Sequence, residues 1–223
     1  ISACLVGSEM CIRDRLYIGG DVLGQKTFIS QKLNSRFLYK EISKNKYAVY
    51  SWIQFDDEVK GYDKATKTVM NIPGYIDGHK IEVIAEEFTR GCIGVSKVTI
   101  PNTVTEIRRG AFVYTKRIQS ISISSSVKTI AADVFSGNNC LKFTVDSNNK
   151  YFQAINGDLY SKDGKTLVSA TGSSMTKIPS FVEVIGGDAF CGNNHIVDIT
   201  IPATVKKISY AAFASSKNLR NVI

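Results

Sequence analysis

The chain has 223 residues, of which 43% are hydrophobic and 22% are charged, a composition typical of folded globular proteins. It excludes collagen-like, coiled-coil and intrinsically disordered chains, and no run approaches the roughly 18 apolar residues that a membrane-spanning helix requires. The formal net charge is +8, while five cysteines and two histidines offer few ligands for a metal site.

The first 15 residues do not have the pattern of a natural N-terminus. The run from Leu5 to Asp14, LVGSEMCIRD, matches the translated frame of a transposase adapter used in sequencing libraries. No positively charged start followed by an apolar core is present, so the segment lacks the pattern of a signal peptide. We therefore expect residues 1–15 to be a disordered artefact, which removes Cys4 and Cys11 from the native cysteines and places the true N-terminus outside this sequence.

Residues 16–68 are predicted to form an N-terminal cap or flanking region. A first group of apolar residues has loose helical spacing: Phe28, Ile29, Leu33, Phe37 and Leu38. The run from Tyr47 to Phe55 alternates between the two faces of a chain with period two, which predicts a strand that leads into the following region.

A repeat of 23 residues occupies most of the chain after residue 69. This spacing separates four pairs of equivalent apolar residues: Ile100 and Ile123, Phe112 and Phe135, Ile178 and Ile201, Phe190 and Phe213. A looser first copy begins at Ile72 and Pro73. A fixed period of this length indicates units that cannot bury their apolar residues alone and do so by stacking on one another.

Each unit has the same predicted anatomy. It opens with an L-x-x-L-x-L triplet, such as Val95, Val98 and Ile100, whose last two positions alternate and predict a short strand. A proline usually ends this strand, because it has no N–H to donate. V-x-x-I, a small residue and Phe follow and predict a one-turn helix or a turn. Glycine and asparagine close the unit at 137–139 and 192–194, where we expect positive φ angles. Stacked units predict a right-handed solenoid with a parallel sheet on one face.

Residues 146–174 interrupt the period, because Val145 and Ile178 are 33 residues apart. Asn156-Gly157 and the run 162–165 are turn signals, so we predict a hairpin or meander that widens one coil. Leu219, Val222 and Ile223 restate the strand of the next repeat, and there the chain stops. We therefore expect truncation at the C-terminus, and an uncapped edge there through which the chain self-associates.

The pattern L-x-x-L-x-L-P-x-x-V-x-x-I-x-x-x-A-F resembles the BspA-like, treponemal type of leucine-rich repeat over about residues 69–223. Residues 76–84 resemble the usual first repeat of that family, and 151–170 resemble its recurring hairpin insert. Ser124 departs from the pattern by replacing proline. The resemblance implies a β-rich (α/β) solenoid: a right-handed leucine-rich-repeat superhelix with short parallel strands on the concave face, and short helical turns or extended segments elsewhere.

No residues form a catalytic or metal-binding pattern. His79 and His195 are far apart in the repeat order and are predicted to be surface histidines. Cys92, Cys140 and Cys191 occupy different repeat positions without a C-x-x-C, so we expect buried, unpaired thiols. The sequence therefore predicts no enzymatic activity, no cofactor and no metal.

The basic excess is mostly lysine, dispersed over the repeats. This distribution predicts no nucleic-acid partner and agrees better with diffuse attraction to acidic glycans or acidic host surfaces.

Polar residues that flank the apolar strand positions point away from the predicted core and form the candidate binding face. They are Lys97, Thr99, Ser120, Ser122, Ser124, Lys142, Thr144, Lys177, Asp198 and Thr200. Such a face suits broad contact with a protein or a glycan, although a simply solvated sheet face would have the same composition. The resemblance implies an extracellular or cell-surface protein with a role in adhesion or in host or matrix interaction. The alternative is a purely structural spacer that presents another domain.

Overall fold

The computed structural model describes residues 26–30, 35–54, 68–89, 95–115, 117–138 and 141–223. These ranges contain strands and turns but no helix, and hence no helix that could cross a bilayer. The predictions for residues 1–15, Leu33, Cys92 and Cys140 lie outside the described residues.

The described chain begins with a three-stranded antiparallel meander. Its strands are β1 (Lys26–Ser30), β2 (Ser35–Ser43) and β3 (Lys46–Gln54). The strand predicted from the alternation after Tyr47 is confirmed as β3. The loose helical spacing before it does not correspond to a helix. Phe37 and Leu38 lie on β2, which pairs with a strand on each side, and backbone pairing overrides a weak local pattern.

The repeats contribute short strands to two separate ladders. The first ladder is a parallel sheet of β4 (Thr68–Asn71), β7 (Val95–Thr99), β9 (Ser120–Ile123) and β11 (Lys142–Val145). The second contains β6 (His79–Ile84), β8 (Glu106–Ile107) and β10 (Thr129–Ile130), which follow β3 in parallel, while β5 (Tyr75–Ile76) pairs antiparallel with β6. The 23-residue period sets the register, since Ile84, Ile107 and Ile130 lie opposite one another.

The segment around each A-F pair is a turn, not a one-turn helix, and it contains two left-handed positions. The first recurs at Glu87, Gly110, Asp133, Asp188 and Ala211, and the second at Tyr114, Gly137, Gly192 and Ser215. Equivalent turns are joined by backbone hydrogen bonds, for example from the amide of Phe112 to the carbonyl of Val134.

Asn193 lacks the positive φ that we expected near the end of its unit. Its buried amide, and that of Asn149 in the turn after β11, bind the backbone instead. Asn149 Nδ2 donates to the carbonyls of Ser124 and Val127, at 2.8 and 3.0 Å. Asn193 Nδ2 likewise donates to the carbonyls of Ala170 and Ser173, at 2.8 and 2.7 Å. The Oδ1 atom of each accepts two backbone N–H groups that follow it in the chain. Each amide therefore satisfies four backbone groups, Asn149 in the turn that follows β11 and Asn193 in the turn that follows Phe190.

The interruption after Val145 is a second three-stranded meander. It consists of β12 (Phe152–Ile155), β13 (Asp158–Ser161) and β14 (Thr166–Ser169). The strand β14 then pairs in parallel with β15 (Val184–Ile185), which pairs with β17 (Lys207–Ile208). A separate pair is formed by β16 (Asp198–Ile199) and β18 (Asn221–Val222).

This second meander does more than widen one coil, because it divides the apolar core. One cluster of buried residues extends from Phe37 to Leu159, and another from Tyr160 to Ala212. Leu159 and Tyr160 are neighbours on β13, and consecutive strand residues point to opposite faces. A single strand therefore contributes to both cores. The repeated phenylalanines stack within them, with ring centroids 6.1 Å apart for Phe112 and Phe135 and 4.9 Å apart for Phe190 and Phe213.

Candidate binding face

The outward residues of the first ladder form two rows that run across its strands. The register of the four strands aligns one row as Val69, Lys97, Ser120 and Lys142, and the other as Asn71, Thr99, Ser122 and Thr144. Between the rows, Met70, Val98, Ile121 and Phe143 are buried. Strand alternation thus places every second side chain in the core and leaves the two rows on the opposite face.

The first row carries the positive charge of this face. Lys97 and Lys142 are both exposed and lie two strand spacings apart, about 10 Å along the row. Neither ammonium group forms an ion pair with a described residue, whereas Lys46 on β3 pairs with Glu106 of the second ladder at 3.1 Å. No acidic residue stands in either row, so the rows themselves carry only positive charge; the buried Asp158 carboxylate interacts electrostatically with Lys142 from beside the row.

The second row is a line of neutral hydrogen-bonding groups. Thr144 Oγ1 donates to Ser122 Oγ at 3.0 Å, which links neighbouring strands through their side chains. A threonine and an asparagine continue the row towards β4. Hydroxyl and amide groups both donate and accept hydrogen bonds, so this row offers contacts of either polarity to a ligand.

Ser124 does not belong to the face, which corrects the prediction. It is buried, and its Oγ donates to the carbonyl of Pro101 at 2.9 Å and lies 3.0 Å from Ser126 Oγ. The strand β9 ends at Ile123, so Ser124 already belongs to the turn and the alternation of the strand does not extend to it.

Lys177, Asp198 and Thr200 are separated from the two rows by the second meander. Lys177 forms a parallel bridge with Thr200, and Asp198 lies on β16. In the described part of the chain no strand pairing connects them to β11; instead the amide of Phe143 donates to the carbonyl of Gly157 at 2.8 Å. The turn between β12 and β13 therefore occupies the edge of β11, and the ten predicted residues do not form one continuous face.

Sequence reasoning missed Val69 and Asn71, which begin the two rows. The signal was present, because Met70, Ile72 and Pro73 have the same L-x-L-P spacing as Val98, Ile100 and Pro101. The preceding apolar position of the triplet is absent in this first copy, so β4 was not recognised as a strand.

The histidines and the cysteine described here have structural surroundings. The His79 ring is half-buried and stacks on Tyr47 with centroids 4.1 Å apart, which corrects its prediction as a plain surface residue, whereas His195 is exposed. Nearby, burial and the hydrogen bond to Asp77 raise the pKa of Tyr39 to about 12.

Cys191 is buried and unpaired, as predicted, and burial raises the pKa of its thiol. In the ranges given above, no three His, Cys, Asp or Glu side chains cluster as metal ligands would.

Comparison with known proteins gives one family match and several structural neighbours. A family model described as "BspA type Leucine rich repeat region (6 copies)" matches residues 71–163 and 164–223. No curated protein matches the sequence.

Three of the solved structures illustrate the structural likeness. A leucine-rich repeat protein from Bacteroides ovatus is 25% identical with a TM-score of 0.47, over 83% of this chain and 39% of its own length. One from Eubacterium ventriosum is 20% identical with a TM-score of 0.41, over 89% of this chain and 72% of its own. The pneumococcal vaccine antigen PcpA is 14% identical with a TM-score of 0.41, over 88% of this chain and 69% of its own.

Proposed function

The chain belongs to the BspA-type leucine-rich repeat family, and on that premise we propose that it is a non-enzymatic module that binds a protein or a glycan through the two rows on the first ladder. The proposal includes an extracellular or cell-surface location and a role in adhesion. It also includes a right-handed solenoid in which this ladder forms the concave face, as stacked repeats with small rotations between them produce.

The two aligned rows carry this proposal. A line of lysine ammonium groups and hydroxyls lies beside a parallel line of hydroxyl and amide groups, and both are held in register by four hydrogen-bonded strands. The buried residues behind them fix the backbone, so little backbone conformational entropy is lost when a ligand binds. Unpaired lysines favour a ligand with acidic groups, and the second row suits hydroxyl or peptide groups of the same ligand.

The test is binding of the purified chain to immobilised sulfated, carboxylated and neutral glycans and to extracellular-matrix proteins, followed by interferometry. We expect at least one surface to bind, and we expect the double variant Lys97→Ala, Lys142→Ala to lose at least tenfold in affinity. The matched control is Lys128→Ala, Lys207→Ala, which removes two other exposed lysines. If both variants lost the same affinity, the effect would come from net charge alone, and the assignment of binding to the two rows would be wrong.

The alternative function is a structural spacer, and it makes the opposite prediction. A spacer needs stacked, buried repeats but no ligand-binding side chains. If no immobilised glycan or protein binds the native chain, or if the face variant binds as well as the native chain does, the spacer is the better description.

We further propose self-association through the surface that carries β17 and β18. Ile208, Tyr210, Val222 and Ile223 are exposed there, Tyr210 to 90%, and exposed apolar patches often mark interaction surfaces. Light scattering over a concentration series tests this: we expect the mean mass to rise with concentration, and Tyr210→Ser with Val222→Ser to reduce the rise. A concentration-independent monomer would contradict it.

A further inference from the structure

The turn between β12 and β13 lies directly beside the first row of the binding face. It contains Asn156 and Gly157, whose φ angles are 54° and 85°, and two consecutive left-handed residues are what the tightest hairpin turns require. The carbonyl of Gly157 accepts a hydrogen bond from the amide of Phe143 at 2.8 Å. Because Phe143 follows Lys142 on β11, this bond fixes the turn next to the last lysine of the row.

The side chain of Lys142 lies against this turn. A Cβ on Gly157 would lie 2.6 Å from Lys142 Cδ, and 3.4 Å from both Cβ and Cγ of the same lysine. The methylene groups of the lysine therefore fill the space in which any other residue would carry its side chain. Glycine suits this position for two reasons, since it adopts the positive φ at no steric cost and permits the close approach.

The charged end of Lys142 remains available to a ligand. The residue is exposed, and a lysine commonly packs its methylene stem on the protein while its ammonium group stays in water. The buried carboxylate of Asp158, the next residue after Gly157, interacts electrostatically with this lysine. The turn thus contributes both the surface on which the stem lies and a nearby opposite charge.

Lys97, the other lysine of the row, has different neighbours. It lies between Val69 and Ser120, on strands in the interior of the first ladder, whereas Lys142 lies on the last strand and against the turn. A long side chain that is already restrained loses less conformational entropy when a ligand binds it. The geometry therefore makes Lys142 the better preorganised of the two.

We propose that Gly157 is a positioning residue of the binding face: it leaves room for the stem of Lys142 and thereby holds the ammonium group at the row for an acidic ligand. The inference rests on the binding function proposed above. It makes the second meander part of the site, although the meander contributes no residue to either row.

The first test needs no ligand. In the ¹³C,¹⁵N-labelled full chain we expect nuclear Overhauser contacts between the α protons of Gly157 and the γ and δ protons of Lys142. We also expect ¹³C relaxation to show lower side-chain mobility for Lys142 than for Lys97, and Gly157→Ala to remove this difference. Equal mobility of the two lysines in the native chain, or an unchanged Lys142 in Gly157→Ala, overturns the proposal.

The matched control is Gly78→Ala. Gly78 is also a turn glycine with positive φ, 77°, but a Cβ there meets nothing within 4 Å. This variant therefore introduces comparable backbone strain without contacting Lys142, whose mobility should stay as in the native chain.

The second test is a double-mutant cycle with heparin, a sulfated glycan, as the immobilised probe in interferometry. Gly157→Ala should weaken binding about threefold to tenfold, as expected when one long side chain must be ordered on binding. In the Lys142→Ala background the same substitution should change the affinity less than twofold, because the lysine that it positions is gone. An equal loss in both backgrounds would show that Gly157→Ala acts through the fold and overturns positioning.

Failure of this inference and failure of the proposed function give different results. If the native chain does not bind heparin, the preference for this acidic ligand fails, while the relaxation data still decide whether Gly157 restrains Lys142. If Lys97→Ala, Lys142→Ala loses binding but Gly157→Ala binds as the native chain does, the face is retained and the positioning role is wrong.

Discussion

The two halves of the described chain start in the same way and differ in how completely they are covered. Residues 26–145 begin with the meander β1–β3, and residues 152–223 begin with the meander β12–β14. In each half the third meander strand pairs in parallel with the first short strand of a ladder, β3 with β6 and β14 with β15. In both halves the last strand of the meander therefore offers a paired edge to the first strand of a ladder.

The difference lies in burial. Ile107 and Ile208 hold the same repeat position, yet Ile107 is 1% exposed and Ile208 is 51% exposed. In the first half β8, which carries Ile107, lies between β6 and β10, whereas among the described strands β17 pairs only with β15. The comparison teaches that the motif supplies apolar side chains and that only a neighbour on each side buries them.

The largest expected effect comes from truncating these two equivalent isoleucines. Ile107→Ala should lower the free energy of unfolding by about 2–5 kcal/mol, since it leaves a cavity in a packed core. Ile208→Ala should cost less than about 1 kcal/mol, because solvent already reaches the side chain. Urea denaturation followed by circular dichroism measures both, and equal losses would show that repeat position rather than coverage sets the energy.

Substitution of the two buried asparagines tests whether their backbone hydrogen bonds contribute equally to stability in the two halves. Asn149→Ala and Asn193→Ala should each cost about 2–4 kcal/mol, since each leaves two carbonyls and two N–H groups to find new partners. Asn148→Ala, at an exposed position beside the first of them, is the control and should change little. A loss in only one of the two variants, measured by the same denaturation, would mean that the two matching hydrogen-bond patterns differ in their contribution to stability.

The contact between the halves is tested at two glycines. Gly137 and Gly192 both have positive φ, 78° and 75°, so alanine costs about 1–2 kcal/mol at either one. A Cβ on Gly192 would lie 2.7 Å from the Cα of Gly137, whereas a Cβ on Gly137 would meet the ring of Tyr114, which is exposed and can move. Thermal unfolding should therefore show a larger decrease in melting temperature for Gly192→Ala; the reverse order would contradict this packing.

The smallest expected effect concerns the strand that both cores share. Asp158 is buried on β13, with Oδ2 accepting from Ser173 at 3.0 Å and Oδ1 unpaired, and burial raises the pKa of its carboxyl. The pKa of this carboxyl is higher in the folded than in the unfolded state, so ionised Asp158 lowers the free energy of unfolding at neutral pH. The free energy of unfolding rises again as the pH falls through the folded-state pKa, because the carboxyl then becomes neutral.

Asp158→Asn keeps an acceptor for Ser173 and removes the charge. We expect a higher melting temperature than that of the native protein at neutral pH, with the difference shrinking as the pH is lowered. Asp163→Asn, at an exposed position in the next turn, should not show this upward shift. If the difference in melting temperature between Asp158→Asn and the native protein did not change with pH, ionisation of the Asp158 carboxyl would not be its cause.

Much of the repeat architecture could be predicted from particular residues. The spacing of Ile100 and Ile123 predicted strands in parallel register, and Lys97, Ser120 and Lys142 fall on the outward side as the alternation predicts. Ser124 could not be placed in this way, because the end of β9 depends on where the backbone turns.

The sequence by itself determined the repeat, its period, and which side chains alternate between core and surface, because these follow from local spacing and from the two-residue period of a strand. The tertiary structure alone decided that β13 contributes to two cores, that the turn at Gly157 covers the edge of β11, and that the Asn149 and Asn193 amides each bond four backbone groups. Those features depend on contacts between residues far apart in the chain, and the same motif is buried or exposed according to what packs beside it.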